Sequence, residues 1–457
     1  MASNILLLSP NVGGLFTEGT TLIPPMGLLY MGAVLEKAGY NVTIADLLVA
    51  PEQDIDIESY NIIGITANTV QFNNALRFAE KAKKLGKTVI LGGPHPTFEA
   101  EASLNTRNVD FIVRGEGEET IVELVKEIEG SSSFNNVKGI SFISSGNHIT
   151  HTPKREFIQD INSIPFPARH LINTEPYKKF EIAYKPAGSI LTSRGCPFDC
   201  NFCVGTKMRG KKYRWRSVEN IIEEIKIMHA EYGFYSIVFL DDNFVAKISR
   251  TRELCEEILR QNLDFKWWCM ARTDILAKNP DTVELMAKAG CFQVFLGLES
   301  PNDEILESYN KHASGRTGDT AIKLLHKNGI RVHGSFIIGG LTETEEDILS
   351  TVKYAKKLKV DLAQFSVLTP YPGTALYNEL KERIKVKDWD QYDCLHSVFD
   401  TNNLTTEQIN KMVKTVYRKF YLSPERILIQ LKGLTPKKLF GLIRRVKRIR
   451  QLTKNYA

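Results

Sequence analysis

Short apolar runs alternate with amphipathic helical patterns along the first 150 residues. Apolar runs predict strands at 4–8, 41–45, 62–66, 88–91 and 111–113, and helical spacing predicts helices at 25–38, 72–85 and 118–128. Short strands without polar alternation are typical of a parallel sheet that helices cover on both faces. We therefore predict a doubly wound, Rossmann- or flavodoxin-like sheet over residues 1–150, which binds ligands at the carboxyl ends of its strands.

A second alternation begins after a less regular stretch. Residues 151–186 are rich in Ser, Asn and Pro and are predicted to be a linker, preceded by a short ribbon. Strands are then predicted at 189–192, 235–240, 266–271, 291–297, 331–338 and 363–368. Six strands, each followed by a helical pattern, predict a partial (β/α)6 barrel over 187–385, with the active site just beyond the strand ends. Residues 386–457 are predicted to be a helical C-terminal region.

The chemistry of the chain is concentrated where the first barrel strand ends. Cys196, Cys200 and Cys203 form a C-x₃-C-x₂-C run. Thiolates are the usual ligands of iron–sulfur clusters, and three of them leave one iron of a [4Fe–4S] cluster open. A structural zinc site is the alternative, but zinc usually takes four ligands, and no fourth Cys or His lies close in the sequence.

The cysteine run, with Phe202 before its last cysteine, resembles the signature of the radical S-adenosylmethionine (SAM) superfamily. The resemblance covers residues 188–375 and implies that the open iron binds SAM. It also implies a set of polar residues at strand ends that contact SAM: Phe202, Asp241, Asp242, Arg272, Glu299 and Ser300. For two of these residues there is an alternative to a SAM contact. Arg272 could form an ion pair with Asp274, and Asp241 could cap the following helix.

The first 150 residues resemble the cobalamin-binding domain of one branch of this superfamily. The resemblance rests on the segments around Pro10, Pro24–Tyr30, Gly64–Thr66, Gly92–Thr97 and Arg114–Glu118. It implies a set of cobalamin contacts: Asn11, Thr66, Gly92, Gly93, His95, Thr97, Gly115 and Glu116. No Asp-x-His-x-x-Gly occurs, so the usual histidine ligand of cobalt has no candidate. We expect His95 to hydrogen-bond near the cofactor tail rather than to face cobalt. A flavodoxin-like domain that binds no cofactor, or another nucleotide, is the alternative.

Together these resemblances imply a cobalamin-dependent radical SAM methyltransferase that acts on an unactivated carbon. SAM would supply a deoxyadenosyl radical and methylcobalamin the methyl group. The alternative within the branch is an oxidative cyclase or ring-rearranging enzyme. A non-catalytic cobalamin or iron–sulfur sensor is disfavoured by the polar strand ends. No catalytic acid or base is assigned, although Tyr213, Tyr309 and Tyr371 lie near the predicted loops.

Composition and charge bear on where the protein is located in the cell and on what it binds. The chain has 457 residues, 43% of them hydrophobic, and a net charge of +6. Nine Lys and Arg and no acid lie within 431–457, so the remainder is slightly acidic and nucleic-acid binding is not indicated. No signal peptide is evident, and we expect a cytoplasmic enzyme with a flavodoxin- or ferredoxin-type reductant.

Two basic segments bear on the substrate. Residues 438–452 have helical apolar spacing with cations between, which suits an anionic membrane surface at the inner membrane and a lipid-like substrate. A terminal helix packed on the barrel is the alternative for this segment, and another small molecule or a peptide is the alternative for the substrate. Residues 207–216 contain six cations and no acid. Three alternatives follow for this segment: its cations bind an anionic group of the substrate, they neutralise the negative charge of the cluster, or they lie in solvent.

Overall fold

A computed structural model describes residues 3–12, 22–130, 132–183, 185–311 and 314–426 of the chain. The described residues fall into two compact units. The first contains the chain up to Phe198, then 203–242 and 371–374, and the second contains 199–202, 243–370 and the chain from Ala375 onward.

The first unit contains a seven-stranded sheet built from the N-terminal part of the chain. Its strands are β1 (Asn4–Ser9), β2 (Asn41–Asp46), β3 (Ile62–Thr66), β4 (Thr88–Gly92), β5 (Phe111–Val113), β6 (Ile140–Ile143) and β7 (Ile149–His151). The strand order is β2-β1-β3-β4-β5-β6-β7. Strands β1 to β5 are parallel, and β6 and β7 add an antiparallel ribbon at one edge. The order 2-1-3-4-5 is that of a flavodoxin-like doubly wound sheet, as the apolar pattern predicts.

Helices follow the strands of this sheet. They are α1 (Met26–Lys37), α2 (Phe72–Lys84), α3 (Pro94–Phe98), α4 (Ala100–Asn105) and α5 (Glu118–Glu129). The core between α1, α5 and the sheet contains buried aliphatic side chains, among them Leu29, Leu35 and Leu124, none of which is measurably exposed. Burial on both faces explains why β1, β3 and β4 read as continuous apolar runs rather than as alternating ones.

The remainder of the first unit carries the start of the barrel and the cysteine loop apart from its residues 199–202. Its elements are β8 (Glu181–Ile182), β9 (Lys185–Ile190), β10 (Ser193–Arg194), α6 (Gly205–Arg209), β11 (Arg214–Trp215), α7 (Val218–Tyr232) and β12 (Ser236–Phe239). Strands β9 and β12 are parallel, and β8 pairs antiparallel with β9. The short strands β10 and β11 pair antiparallel and close the loop that contains the three cysteines.

The second unit continues the βα alternation. Its elements are α8 (Ile248–Arg260), β13 (Lys266–Arg272), α9 (Thr273–Ala277), α10 (Pro280–Lys288), β14 (Cys291–Glu299), α11 (Asp303–Ser308), α12 (Gly315–Lys327), β15 (Arg331–Ile338), α13 (Glu345–Lys357), β16 (Leu362–Val367), α14 (Ala375–Leu380) and α15 (Thr406–Tyr421). The strands are parallel in the order β16-β15-β14-β13. With β9 and β12, they are the six parallel strands that the sequence predicts.

The C-terminal region differs from its prediction. Residues 386–404 are largely irregular, with one helical turn at Trp389–Gln391, and Ile384 pairs with Phe399 through an isolated bridge. In the helical region predicted over 386–457, the first α-helix is α15, which begins at Thr406. The basic segment 438–452 lies outside the described residues. Within the described parts of the chain, no helix is long and apolar enough to cross a membrane.

A buried charge triad joins the linker to the barrel helix α7. The Glu224 carboxylate is fully buried and accepts from Arg169 Nη2 at 2.6 Å and from Arg216 Nη1. Arg169 also donates to the backbone oxygen of Ser189, at 2.8 Å. Because both guanidinium groups are buried, the single carboxylate between them neutralises charge that water does not reach.

We predict that Glu224→Ala destabilises the first unit by about 3–5 kcal/mol, because it leaves two buried arginines without their shared carboxylate. Urea unfolding followed by circular dichroism measures the loss. Glu231→Ala, at an exposed position of the same helix, is the matched control and changes stability by less than about 0.5 kcal/mol. Equal stability of the two variants would contradict the role of the triad.

Candidate cluster and cofactor site

The cysteine loop is held at its base by backbone geometry. Gly195 has φ +87°, and a Cβ at this position would lie 2.4 Å from the backbone oxygen of Lys212. No other residue type fits here without moving the chain. The Cys196 backbone N–H donates to the oxygen of Gly210 at 3.2 Å. The first cysteine is therefore fixed to the opposite arm of its own loop.

Two buried arginines, one on each strand of the ribbon β10–β11, are neutralised by carboxylates that follow β5. Arg214 makes a bidentate pair with Glu116, with N–O distances of 2.8 and 2.9 Å. Arg194 contacts Glu118 at 2.5 Å and Glu116 at 3.3 Å. Burial raises the pKa of Glu116, but the hydrogen bond from Arg214 and the charge of Arg194 outweigh it and hold that pKa below its ordinary value. Bidentate, charge-assisted pairs are strong and directional, so they fix the ends of the loop.

The last cysteine of the loop lies beside an acidic side chain that follows β12. A Cβ placed on Gly205 would lie 3.2 Å from Asp242 Oδ1 and 3.5 Å from Cys203 Sγ, so the carboxylate and the thiol flank the same backbone position. Asp242 Oδ1 accepts from Arg209 at 3.0 Å, whereas Oδ2 is buried with no hydrogen-bond partner among the described residues. Asp242 thus offers one oxygen to a ligand.

Asp241 has a different environment from that of its neighbour. Its carboxylate is fully buried and accepts from Thr192 Oγ1 at 2.9 and 3.0 Å and from the hydroxyl of Ser193. These bonds tie the end of β12 to the segment that leads into the cysteine loop. The alternative that Asp241 caps the following helix is wrong, because its acceptors serve those two hydroxyls and α8 begins only at Ile248 after Lys247.

The second cysteine lies in the second unit among cations. Arg272 Nη1 is 4.0 Å from Cys200 Sγ, and the ammonium of Lys311 also acts on this thiol. Burial raises the pKa of the Cys200 thiol, while Lys311 and Arg272 lower it in part. Arg272 pairs with Asp274 at 2.9 Å, so the ion pair that was the alternative to a SAM contact is present.

The candidates at the end of β14 lie on a strained backbone. Glu299 has φ +58°, where a residue with a Cβ is uncommon, and it follows a register shift in the β14–β15 ladder. Its buried carboxylate pairs with Lys311, which also donates to the Gly297 oxygen at 3.0 Å. Ser300 is buried, and its Oγ accepts from the backbone N–H of Asn302 at 3.1 Å. Strain of this kind persists where function or packing fixes the side chain.

The donor set fits a cluster better than a single metal ion. Cys196, Cys200 and Cys203 are partly exposed and free of disulfides. Within the described residues, no three His, Cys, Asp or Glu side chains are arranged to hold one ion. In a [4Fe–4S] cluster each thiolate binds a different iron, so its ligands need not converge on one point. The cations beside Cys200 suit the negative charge of such a cluster.

The predicted cobalamin residues lie at the carboxyl ends of β1, β3, β4 and β5. Thr66 ends β3, and Gly93, with φ +102°, follows β4 so closely that a Cβ would lie 2.7 Å from the Ala67 oxygen. Thr97 Oγ1 accepts from the Gly115 backbone N–H at 3.1 Å, and Asn11 Oδ1 is buried without a partner among the described residues. Small residues, a hydroxyl and an orphaned acceptor fit a cofactor with amide arms. The individual contacts stay predictions.

Two of the predicted cobalamin residues, Glu116 and His95, interact with side chains of the protein. Both carboxylate oxygens of Glu116 serve Arg214, as described above. His95 is 1% exposed, its ring centroid lies 4.0 Å from that of Phe72, and its Nδ1 is 3.3 Å from Thr69 Oγ1. Burial lowers the pKa of His95 to about 3, so its ring is neutral at physiological pH. The imidazole is packed inside the domain next to the β4 turn.

The basic segment 207–216 is partly an ion-pair segment rather than an exposed patch. Arg209, Arg214 and Arg216 pair with Asp242, Glu116 and Glu224, respectively. Lys212 donates to Gln159 at 2.6 Å. The segment itself contains six cations and no acid, but it is neutralised from outside: Glu116 and Asp242 come from distant parts of the chain, and Glu224 comes from the helix α7 that follows. An anionic substrate site built from these three arginines is therefore disfavoured.

Sequence reasoning missed two residues of the site. Lys311 was not singled out, although it pairs with Glu299 and its charge lowers the pKa of the Cys200 thiol. Asn243 follows the Asp-Asp pair and is 1% exposed, and both polar atoms of its side chain lack hydrogen-bond partners among the described residues. The sequence offered one signal for Asn243, its place just past a barrel strand, and none for Lys311, which lies beyond a helix.

Two families and several relatives match the chain. The Radical SAM superfamily pattern matches residues 190–355, and the B12 binding domain pattern matches residues 14–125. An uncharacterized methyltransferase of Pyrococcus horikoshii is 35% identical over 93% of this chain and 93% of its own length. The bacteriochlorophyllide d C-12(1)-methyltransferase of Chlorobaculum tepidum is 29% identical over 87% of this chain and 82% of its own. The anaerobic magnesium-protoporphyrin IX monomethyl ester cyclase of Cereibacter sphaeroides is 30% identical over 92% of this chain and 70% of its own.

Solved structures share the fold. The cobalamin-dependent SAM radical enzyme OxsB superposes with a TM-score of 0.75 over 99% of this chain and 72% of that chain, at 18% identity. The radical SAM methyltransferase TsrM from Kitasatospora setae superposes with a TM-score of 0.69 over 84% of this chain and 75% of that chain, at 19% identity. The doubly wound sheet followed by a partial barrel is thus the fold of these enzymes.

The chain belongs to the cobalamin-binding branch of the radical SAM superfamily. It is an enzyme whose cofactors are a [4Fe–4S] cluster, SAM and cobalamin.

The orphaned oxygen of Asp242 predicts that this carboxylate accepts from SAM. Asp242→Asn should weaken SAM binding about ten- to hundredfold, because a charge-assisted hydrogen bond contributes roughly 1.5–3 kcal/mol. Equilibrium dialysis with cluster-loaded protein measures the affinity, and the iron content of each sample shows that the cluster is retained. Asp281→Asn, at an exposed position on α10, is the control. Unchanged SAM affinity in the Asp242 variant at full iron content would exclude the contact.

Proposed function

We propose that the enzyme transfers a methyl group to a carbon atom that carries no activating group. The observation that carries the proposal is the relative named as a methyltransferase, which matches at 35% identity over nearly the whole of both chains. Both cofactor domains are present in the one chain, as such a reaction requires. The second relative, named as a bacteriochlorophyllide d methyltransferase, supports the same reaction type.

The residues of this chain serve the reaction by binding and placement. When bound, the cluster with SAM supplies a radical-generating electron transfer, and cobalamin supplies methyl-transfer chemistry. Arg272 and Lys311 place positive charge beside Cys200, where the ligand thiolate needs it. Asp242 is suited to hold the SAM amine. The strained Glu299 is held by Lys311, so its carboxylate is fixed before a ribose hydroxyl binds.

A second candidate reaction is an oxidative cyclisation. The relative named as a magnesium-protoporphyrin IX monomethyl ester cyclase is 30% identical over 92% of this chain, which is close to the similarity of the second methyltransferase. The two reactions differ in whether a carbon from SAM enters the product. The substrate in either case is a small molecule, and a lipid-like compound is one class that the basic segment 438–452 favours.

Methyl transfer predicts two SAM-derived products in equal amounts with the methylated product. With SAM labelled as S-CD₃, the product should gain three deuterium atoms, while S-adenosylhomocysteine and 5′-deoxyadenosine appear in equal amounts by mass spectrometry. The Cys200→Ala variant is the control and should yield no 5′-deoxyadenosine, because it lacks a cluster ligand. A product without the label, formed together with 5′-deoxyadenosine, would favour the cyclisation instead.

We further propose that a flavodoxin- or ferredoxin-type protein reduces the cluster, and that the basic segment 438–452 contacts an anionic membrane surface. Apolar residues at helical spacing with cations between them favour this contact.

The membrane proposal predicts that the full chain co-sediments with phosphatidylglycerol vesicles and that a chain truncated after residue 430 does not. Binding should fall steeply as salt is raised from 50 to 300 mM, because surface charge attraction is screened. Neutral phosphatidylcholine vesicles are the control. Equal sedimentation of the two proteins with the anionic vesicles would show that the tail makes no such contact.

A further inference from the structure

A short turn of the second unit contacts the segment of the cysteine loop that contains Cys200. The turn spans residues 308–311, between the end of α11 and Lys311. Three hydrogen bonds join it to the loop: Asn201 N–H donates to the Tyr309 oxygen at 3.1 Å, Asn201 Nδ2 to the Ser308 oxygen at 2.8 Å, and Asn310 Nδ2 to the Asp199 oxygen at 2.8 Å. These bonds lie on both sides of Cys200 in sequence.

An aromatic contact and a charge complete the turn. The ring centroids of Phe202 and Tyr309 are 5.5 Å apart at an interplanar angle of 81°, which is an edge-to-face arrangement. Tyr309 is 3% exposed, so this ring is a rigid support. Lys311, the last residue of the turn, pairs with Glu299 and acts on the Cys200 thiol. The four residues of the turn therefore pack against and hydrogen-bond to the residues that flank Cys200, and they place a positive charge that acts on its thiol.

The conformation of Asn310 makes the turn possible. Its φ is +52°, in the left-handed region that Asn tolerates better than most residues with a Cβ. The Asn310 backbone N–H donates to the Glu307 oxygen at 2.8 Å, which ends the helix α11. In this conformation the side-chain amide reaches the Asp199 oxygen. Glycine would adopt the same backbone without strain but would lose the amide.

We propose that the 308–311 turn is a clamp that fixes the position of the Cys200 sulfur, with Asn310 and Asn201 as positioning residues for the cluster. A cluster ligand on an unrestrained loop would leave its iron more readily, because each dissociation would be followed by movement of the chain. The clamp would hold the thiolate in place for the iron that it binds. Asn310 and Asn201 donate to backbone oxygens of the loop and of the turn, respectively, so these two side chains would act on the cluster through the position of Cys200.

Asn310→Gly tests the clamp without straining the backbone. In the anaerobic, cluster-loaded enzyme, iron should be lost to a chelator such as bathophenanthroline about fivefold faster than in the unmodified enzyme, which is the effect of one hydrogen bond of about 1 kcal/mol. The electron paramagnetic resonance spectrum of the reduced cluster should also change its g values. A general loss of stability does not alter those values in the protein that remains folded.

Asn262→Gly is the matched control. Asn262 has the same φ, +52°, and is exposed at the end of α8, away from the turn. This variant should lose iron at the unmodified rate with an unchanged spectrum. Asn201→Ala, which removes the bond to the Ser308 oxygen, is the second variant and should reproduce the faster loss and the altered spectrum. Iron loss within twofold of the unmodified rate and unchanged g values in both clamp variants would overturn the proposal, as would an equal effect of Asn262→Gly.

Discussion

The cysteine loop depends on the neutralisation of two buried arginines. Arg194 and Arg214 lie on the paired strands that close the loop, and Glu116 and Glu118 supply their counter-charges. A buried guanidinium without a carboxylate is costly, so the stability of the ribbon depends on the carboxylates of the β5–α5 turn. The same turn belongs to the sheet whose strand ends carry the predicted cobalamin residues. Folding of the sheet and formation of the cluster loop are therefore linked by these ion pairs.

A second constraint operates at the end of β14. The positive φ of Glu299 and the register shift beside it direct a carboxylate to Lys311, and Lys311 is the last residue of the clamp at 308–311. The cation beside Cys200 is thus fixed by a strained strand end on one side and by a turn on the other. An electrostatic environment that is fixed before the cofactor binds does not need to reorganise when electron transfer occurs.

The positions of the strands and helices were predictable because each element has a local pattern of apolar and polar residues. Strands such as β15 coincide with their apolar runs, since burial on one or both faces sets the composition of each strand. The cysteine spacing likewise identified the cluster loop. What the sequence could not reveal are contacts between distant segments: the pairing of Arg214 with Glu116, the approach of Lys311 to Cys200, and the burial of His95 against Phe72. Each depends on tertiary packing, for which one sequence carries no local signal.

The central claim is that three thiolates bind a [4Fe–4S] cluster and leave one iron to SAM. Electron nuclear double resonance of the reduced cluster, with SAM carrying ¹⁵N in its amino group, tests it most directly. If one iron is open to SAM, a ¹⁵N coupling appears when labelled SAM is added to the unmodified enzyme and is lost when ordinary ¹⁴N-SAM replaces it. A cluster spectrum that is unchanged by SAM and shows no ¹⁵N coupling would mean that the fourth iron is not open to SAM, and would contradict the account.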